Sequence, residues 1–183
     1  MGSGTTLVEA KLLGRNAIGV DINPQSISIS KINLQFQCET NSKIHIRNAS
    51  ATDLSFIKNS HIDFICTHPP YANIIKYSKN VEGDISLLPV EDFLEEMHLV
   101  AKESYRVLKK GKMCAVMIGD MRKYGKVVPL GFRVMECFWQ AGFASREIII
   151  KEQYNCSSTE YWEKQNKEFL LLAHEYILYF KSE

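Results

Sequence analysis

The hydrophobic and polar positions of this chain alternate between the spacing of a strand and the spacing of a helix. Short apolar runs typical of buried strands occupy residues 17–21, 43–47, 62–66 and 112–118. Segments whose apolar residues favour a helix lie at residues 5–13, 24–37, 90–108 and 131–139. Two longer apolar runs, residues 143–150 and 169–180, close the chain and are predicted to pair as antiparallel strands. The pattern therefore predicts an α/β fold with a doubly wound, mostly parallel sheet.

Composition narrows the class of protein without deciding its function. The chain has 183 residues, 45% of them hydrophobic, which is enough for a single domain with a core of its own. Lys and Arg total 22 against 21 Asp and Glu, and this balance neither demands nor excludes a nucleic-acid partner. The five cysteines lack metal-ligand spacing, and no apolar run approaches the roughly 20 residues of a membrane helix. We expect a soluble, cytoplasmic protein with reduced thiols, no metal and no membrane contact.

The first candidate site is the glycine-rich stretch Gly2-Ser3-Gly4-Thr5, directly before the first predicted helix. Glycines let a ligand approach the backbone closely, and a helix start offers unpaired N–H groups. In doubly wound folds, an acidic residue about 20 positions further on binds ribose hydroxyls. Asp21 lies 17 positions after Gly4, at the end of the next predicted strand. This spacing indicates a nucleotide-like ligand, although glycine turns before helices also occur without one.

The second candidate site is Thr67-His68-Pro69-Pro70-Tyr71, which follows the predicted strand at residues 62–66. Two prolines end the sheet and hold the chain rigid, and an aromatic ring can stack on a base. Ligands of open α/β sheets bind at the carboxyl ends of strands, where this loop lies. The alternative is an ordinary proline loop in which Tyr71 packs locally.

Together these stretches resemble one family. The segments MGSGTTLVEAKLLGRNAIGVDINP, DFICTHPPY, RVLKKGK and HEYILYF are similar to the DNA methyltransferases that methylate N4 of cytosine or N6 of adenine. The resemblance covers nearly the whole chain. It implies S-adenosylmethionine as cofactor and a Rossmann-like, seven-stranded sheet with a C-terminal antiparallel hairpin.

The resemblance also assigns site residues. It implies that Gly2, Ser3 and Gly4 lie under the methionine and ribose part of the cofactor, with Thr5 and Thr67 in the same site. It matches Asp21 to the ribose-binding acid and Ile22 to the residue against the adenine face. Asp53 corresponds to the acid that meets the adenine amino group, unless it is only the N-cap of a helix. Pro69, Pro70 and Tyr71 match the catalytic loop.

The catalytic loop departs from the family at one position, because His68 stands where the family has Asp, Asn or Ser. In the family, the Asp, Asn or Ser side chain at this position accepts a hydrogen bond from the target amino group. A neutral imidazole has one acceptor nitrogen and can do the same, whereas a protonated imidazole cannot. We therefore expect a histidine variant of the loop; the alternative is a structural histidine at the end of a strand.

The cofactor motif departs as well, because the family's D-P-F and the strand before it are absent from residues 1–183. In the family this strand is central and lies between the strands that end here at Asp21 and Cys66. Its absence leaves two unpaired edges inside a sheet. We expect the domain to be truncated at its N-terminus, with the strand supplied by a preceding segment or by a partner chain.

Contacts with a substrate are less well defined by sequence. Basic residues with aromatic neighbours in predicted loops suit phosphates and a flipped base, and the candidates are Lys76, Lys79, Arg122 and Lys123. The alternative is that these charges are merely solvated. No separate target-recognition domain is visible.

The sequence thus predicts a methyltransferase that acts on DNA, of the kind found in restriction-modification systems. Related Pro-Pro-Tyr loops also methylate RNA or a protein amide nitrogen, and either substrate stays open. So does a non-catalytic fragment or subunit that binds DNA or a partner chain.

Overall fold

A computed structural model describes residues 1–74, 78, 81–154 and 170–183 of the chain. The helices in this part are α1 (Thr5–Leu12), α2 (Pro24–Asn33), α3 (Val90–Val107) and α4 (Leu130–Gln140). The strands are β1 (Ala17–Asp21), β2 (Ile44–Asn48), β3 (Ile62–Thr67), β4 (Leu108–Ile118), β5 (Met121–Lys123), β6 (Lys126–Val128), β7 (Phe143–Glu152) and β8 (His174–Ser182). Short 3₁₀ turns cover Ala72–Ile74 and Ile85–Leu87.

The strands form two main sheets. β1 and β2 pair in parallel, and a separate four-stranded sheet has the order β3-β4-β8-β7. β3 and β4 are parallel, while β8 runs antiparallel to both of its neighbours. The α/β class and the antiparallel closing pair are confirmed. The seven-stranded sheet implied by the resemblance is not formed by the described residues.

Within the described residues, β1 pairs only with β2 and β3 pairs only with β4. The sheet is thus interrupted where the family places its central strand. Both edges nevertheless border one apolar cluster, whose buried members are Leu54, Ile57 and Val107. Ile18 and Val20 of β1 and Ile62 and Ile65 of β3 all pack against it. This cluster joins the two sheets.

Several element boundaries differ from the predicted ones for local reasons. α2 ends at Asn33 rather than near residue 37, and β4 begins at Leu108 rather than at residue 112. β4 includes Gly111, whose φ of 77° interrupts the regular strand pattern on which the prediction relied. β8 begins at His174, later than the predicted start at residue 169, and residue 169 itself lies outside the described part.

The hairpin of β5 and β6 was not predicted. Its turn is Tyr124-Gly125, and both residues have positive φ, 51° and 76°. Two successive positive φ angles are typical of the tight turns that join short antiparallel strands. The flanking strands have three residues each, too few to produce a recognisable alternation of polar and apolar positions.

The main core lies between the four-stranded sheet and the pair α3 and α4. Met97 of α3 is fully buried, and Phe138 of α4 stacks on Phe180 of β8 with ring centroids 4.9 Å apart. Among the described residues, no helix has both the length and the apolar character needed to cross a bilayer.

Truncation of Met97 tests this core. We expect Met97→Ala to lower the free energy of unfolding by about 2–5 kcal/mol, because it opens a cavity where the side chain is fully buried. The control Leu99→Ala, on the same helix but 44% exposed, should cost less than about 1 kcal/mol. Urea denaturation measures both. Equal losses would show that α3 does not bury the Met97 side as described.

Candidate active site

The glycine-rich stretch forms a tight loop into α1. Gly2 and Gly4 have φ of 57° and 83°, and Gly4 is the N-cap residue of the helix. Two side chains of α2 hold the loop: Ser30 Oγ donates to the Gly2 carbonyl at 3.1 Å, and Asn33 Nδ2 donates to the Ser3 carbonyl at 2.9 Å. The backbone that would face a ligand is therefore fixed by the neighbouring helix.

Gly2 and Gly4 differ in what surrounds them. A Cβ at Gly4 would lie 2.7 Å from Ser30 Oγ, so Gly4 is needed for packing. A Cβ at Gly2 would meet nothing within 4 Å. Gly2 thus faces open space beside the loop, which leaves room for a ligand.

Asp21 ends β1 and fixes the glycine loop. Its Oδ2 accepts the Gly2 N–H at 2.9 Å and lies 3.0 Å from the N-terminal ammonium of Met1. Its Oδ1 accepts the Asn23 N–H at 2.9 Å. A carboxylate oxygen can accept two hydrogen bonds, so Oδ1 retains capacity for a hydroxyl group. The structure therefore brings together the acid and the loop that the sequence paired by spacing.

Ile22 follows directly and lies under a second loop. A Cβ at Gly83 would come 2.9 Å from Ile22 Cδ1, so the backbone at residues 81–84 passes close above this side chain. The Ile22 carbonyl accepts a hydrogen bond from Asn48 Nδ2, which ties the end of β1 to the end of β2. An apolar side chain between two loops suits the flat face of an aromatic ligand.

Asp53 lies in the loop after β2 and is exposed. Its Oδ1 accepts the Ser55 N–H at 2.9 Å, and these hydrogen bonds from Ser55 lower the pKa of the carboxyl. No helix begins after Asp53, so the alternative of a helix N-cap is wrong, and the side chain closes a turn instead. Arg106 of α3 anchors this loop through the carbonyls of Leu54 and Ile57.

The catalytic loop leaves β3 at Thr67 and is anchored at both ends. Thr67 pairs with Val116 of β4, Pro69 is buried, and Ala72 is fully buried in the main core. The Tyr71 ring also lies near the backbone just after β4, since a Cβ at Gly119 would be 3.3 Å from its Cε1. These contacts fix the direction in which the loop presents its side chains.

Tyr71 is held by a buried carboxylate that the sequence reasoning missed. Its hydroxyl donates to Glu175 Oε1 at 2.5 Å, and Lys151 Nζ donates to Glu175 Oε2 at 2.7 Å. Glu175 is 5% exposed. Burial would raise the pKa of Glu175, but the hydrogen bonds from Lys151 and Tyr71 outweigh it and hold the pKa below its usual range. The signal in the sequence was a lone carboxylate within the apolar strand HEYILYF.

His68 lies beside this pair. Its Nε2 is 3.3 Å from the Tyr71 hydroxyl oxygen and 3.6 Å from Glu175 Oε1. Burial lowers the pKa of His68; Glu175 opposes this shift and the positive charge of Lys151 adds to it. A lowered pKa favours the neutral imidazole at pH 7, which has one acceptor nitrogen.

Of the residues predicted to contact nucleic acid, the structure describes Arg122 and Lys123. Arg122 of β5 donates to the carbonyls of Gly125 and Leu170, and Lys123 Nζ lies 5.7 Å from the centre of the Tyr124 ring. Lys76 and Lys79 lie outside the described residues.

Comparison with known proteins identifies the family. A family model described as DNA methylase matches residues 1–32 and 62–183, most of the chain. The chain belongs to the DNA methylase family. This confirms the predicted methyltransferase class and, with it, S-adenosylmethionine as the cofactor.

Solved structures support the fold. An S-adenosylmethionine-dependent methyltransferase of Methanosarcina mazei superposes with a TM-score of 0.64 at 15% identity, over 99% of this chain and 88% of that one. A protein of Thermus thermophilus described as a DNA modification methylase, solved with S-adenosyl-L-methionine, gives 0.54 at 23% identity, over 72% of this chain and 52% of that one.

Curated relatives differ in what they methylate. The tRNA (guanine(10)-N2)-dimethyltransferase of Pyrococcus abyssi is 26% identical over 140 residues, 76% of this chain and 38% of that protein. The release factor glutamine methyltransferase of Clostridium acetobutylicum is 29% identical over 106 residues, 55% of this chain and 37% of that protein. The chain thus spans less than two fifths of the length of these relatives.

Substitution of Gly4 tests how tightly the glycine loop is built. We expect Gly4→Ala to lower the free energy of unfolding by more than about 2 kcal/mol, because it combines a strained φ with the clash against Ser30. Gly125→Ala is the matched control, since Gly125 has a similar φ of 76° and nothing within 4 Å of an added Cβ. It should cost only the strain, about 1–2 kcal/mol. Urea denaturation compares them, and equal losses would contradict the described packing of Gly4.

Proposed function

We propose that this chain transfers a methyl group from S-adenosylmethionine to the exocyclic amino nitrogen of cytosine or adenine in DNA. The observation that carries the proposal is the catalytic loop, in which a neutral histidine and a rigid Pro-Pro-Tyr segment follow a strand of a methyltransferase sheet. When bound, the cofactor supplies an electrophilic methyl group on a sulfonium.

The cofactor site in this proposal is formed by the carboxyl ends of β1 and β2. Gly2, Ser3, Gly4 and Thr5 form its floor, with open space at Gly2. Asp21 offers an oxygen to a ribose hydroxyl, and Ile22 packs against the adenine ring. Asp53 accepts from the adenine amino group, and Thr67 borders the site from the end of β3.

The catalytic loop in this proposal makes the target nitrogen more nucleophilic. The amino lone pair of a base is delocalised into the ring. Hydrogen bonds from the amino group to His68 and to a carbonyl of the Pro69-Pro70 segment localise that pair on nitrogen. The base has to leave the duplex stack to reach the loop, and Tyr71 offers its ring for stacking. Arg122, Lys123, Lys76 and Lys79 are the proposed phosphate contacts.

The relatives make two other substrates specific alternatives. One matched protein is named for a guanine amino group of tRNA, and the other for a glutamine side chain of a release factor. Each presents an NH₂ group on an sp² carbon, as cytosine and adenine do, so the same loop chemistry applies. A non-catalytic subunit that binds DNA or a partner chain is the remaining alternative.

We also propose that a further strand, from a preceding segment or a partner chain, pairs between β1 and β3. Within the part of the chain that the structure describes, these two strands each have an edge without a strand partner and both border one apolar cluster, which supports this proposal. Such a strand would satisfy backbone groups on both edges and fix the cofactor site relative to the catalytic loop.

The substrate is tested by methyl incorporation from radiolabelled S-adenosylmethionine into duplex DNA, transfer RNA and release factor. We expect incorporation into DNA, and a loss of at least about 100-fold in His68→Ala, because the variant lacks the acceptor. The control His45→Ala changes an exposed histidine of β2 and should leave the rate unchanged. Incorporation into RNA or protein but not into DNA would contradict DNA as the substrate and support one of the alternatives.

The pH profile tests the role of His68. We expect kcat/KM to fall as pH drops through the pKa of His68, which burial holds below its ordinary value of 6.5, because only the neutral imidazole can accept the hydrogen bond of the target amino group. The family-like variant His68→Asn has no titrating acceptor and should lose this acidic decline. A wild-type rate that stays constant below the pH at which nitrogen-15 NMR shows His68 to be protonated would contradict the role.

Calorimetric titration of S-adenosylmethionine tests the proposed strand. We expect residues 1–183 to bind the cofactor weakly, and the affinity to rise at least tenfold when the strand-bearing segment or partner is present. Micromolar binding by residues 1–183 alone, unchanged by any added segment, would show that the cofactor site closes without the strand.

A further inference from the structure

The buried carboxylate of Glu175 has no role in the chemistry described so far. It lies near the amino end of β8, and its residue is 5% exposed although it carries a charge. The backbone ladder explains its proximity to Lys151, with which it is paired in register on β7. It does not explain why the carboxylate also contacts a loop that lies more than a hundred residues earlier in the chain.

The two carboxylate oxygens have different partners. Oε2 accepts from Lys151 Nζ at 2.7 Å. Oε1 accepts from the Tyr71 hydroxyl at 2.5 Å and lies 3.6 Å from His68 Nε2. The lysine thus balances the charge, while the other oxygen is directed at the catalytic loop.

This geometry decides which ring nitrogen of the neutral His68 carries the hydrogen. A tyrosine hydroxyl has one hydrogen, and here it is directed to Glu175. The Tyr71 hydroxyl oxygen, 3.3 Å from His68 Nε2, can therefore only accept a hydrogen bond from that nitrogen. The carboxylate is an acceptor too. A lone pair on Nε2 would face two acceptors and be repelled by both, so Nε2 carries the hydrogen and Nδ1 carries the lone pair.

We propose that Glu175 is a positioning residue, which acts directly and through Tyr71 to hold His68 in the Nε2–H tautomer with Nδ1 as its acceptor atom. That Nδ1 then receives the hydrogen bond of the target amino group rests on the proposed function. The tautomer itself does not depend on the identity of the methyl acceptor. Glu175 thereby allows a histidine to take the place that the family gives to Asp, Asn or Ser.

The charged groups around His68 determine whether its pKa rises or falls when the charge of Glu175 is removed. The groups that face it are Glu175 of β8, Lys151 of β7, Tyr71 of its own loop and the N-terminal ammonium of Met1. Glu175 alone among these charged groups raises the pKa of His68, while Lys151 and the ammonium lower it. Removal of the negative charge should therefore lower the pKa of His68 further.

Nitrogen-15 NMR of histidine-labelled protein reports the tautomer and the pKa without any substrate. His68 is assigned by the signal that disappears in His68→Asn. We expect the wild-type ring to be protonated at Nε2, Glu175→Gln to convert a substantial fraction to the Nδ1–H form, and the pKa of His68 to fall in the same variant. Glu152→Gln, a carboxylate on the same strand as Lys151, is the control and should change neither.

Two results would overturn the proposal: a wild-type His68 protonated at Nδ1, or a tautomer and pKa unchanged in Glu175→Gln. The backbone amide spectrum of Glu175→Gln shows whether the variant is folded. If it is not, Tyr71→Phe provides the second variant, because it removes the bridging hydroxyl and retains the carboxylate. An unchanged tautomer in folded Tyr71→Phe would contradict the action of Glu175 through the Tyr71 hydroxyl, and a wild-type ring protonated at Nδ1 would contradict the direct action too.

Methyl transfer separates this proposal from the proposed function. If Glu175 positions His68, Glu175→Gln should reduce kcat more than it changes KM and move the acidic decline of kcat/KM to lower pH. The predicted tautomer in a chain that methylates no amino group would support Glu175 and contradict the proposed function. Normal methylation by Glu175→Gln, with an unchanged pH profile, would contradict the role of Glu175 alone.

Discussion

The antiparallel direction of β8 decides what surrounds the catalytic loop. β3 and β4 are parallel and end at the same edge of their sheet, as Thr67 pairs with Val116. β8 runs the other way, so its beginning lies against the end of β4, where Ile118 pairs with Tyr176. Residues at the start of β8 are thus placed beside the loop that follows β3. A parallel strand at this position would present its last residues there, and Glu175 would lie at the opposite edge.

A carboxylate can be buried at this edge only because an opposite charge and hydrogen-bond donors surround it. Removing a charged group from water costs several kcal/mol, which is recovered only when the charge is paired and its lone pairs are satisfied. Lys151 supplies the opposite charge, and the Tyr71 hydroxyl supplies a second donor. These requirements link three elements, since the lysine belongs to β7, the carboxylate to β8 and the tyrosine to the loop after β3. The hydrogen bond from Tyr71 therefore helps to stabilise the buried charge of Glu175, and Glu175 in turn fixes the orientation of Tyr71.

Much of the fold could be predicted from local patterns, and the site only in part. The apolar run of residues 17–21 and the spacing between Gly4 and Asp21 were sufficient to place an acid beside the glycine loop, because one short αβ unit contains both. The contact of Tyr71 with Glu175 joins residues 104 positions apart, and no periodicity carries that information. The short hairpin at Tyr124-Gly125 was missed for the opposite reason, since its strands are too short to show a period. Asp53 lies in the loop after β2 as predicted, but the alternative of a helix N-cap was wrong, because this segment forms a turn that Arg106 holds from α3.

The relation between the two halves of the site depends on side-chain packing more than on backbone pairing. The glycine loop and Asp21 belong to the β1–β2 sheet, whereas His68 and Tyr71 follow the four-stranded sheet, and in the described residues no ladder joins the two. Apolar contact between them runs through the cluster of Leu54, Ile57 and Val107, and Arg106 of α3 also hydrogen-bonds the loop after β2. Apolar contacts are not directional, so they hold two sheets together while allowing small changes of angle and register that a hydrogen-bonded strand would forbid. An in-line methyl transfer requires the donor and the target nitrogen to be aligned within a fraction of an ångström. The additional strand that we propose, hydrogen-bonded to both β1 and β3, would supply this alignment through backbone pairing.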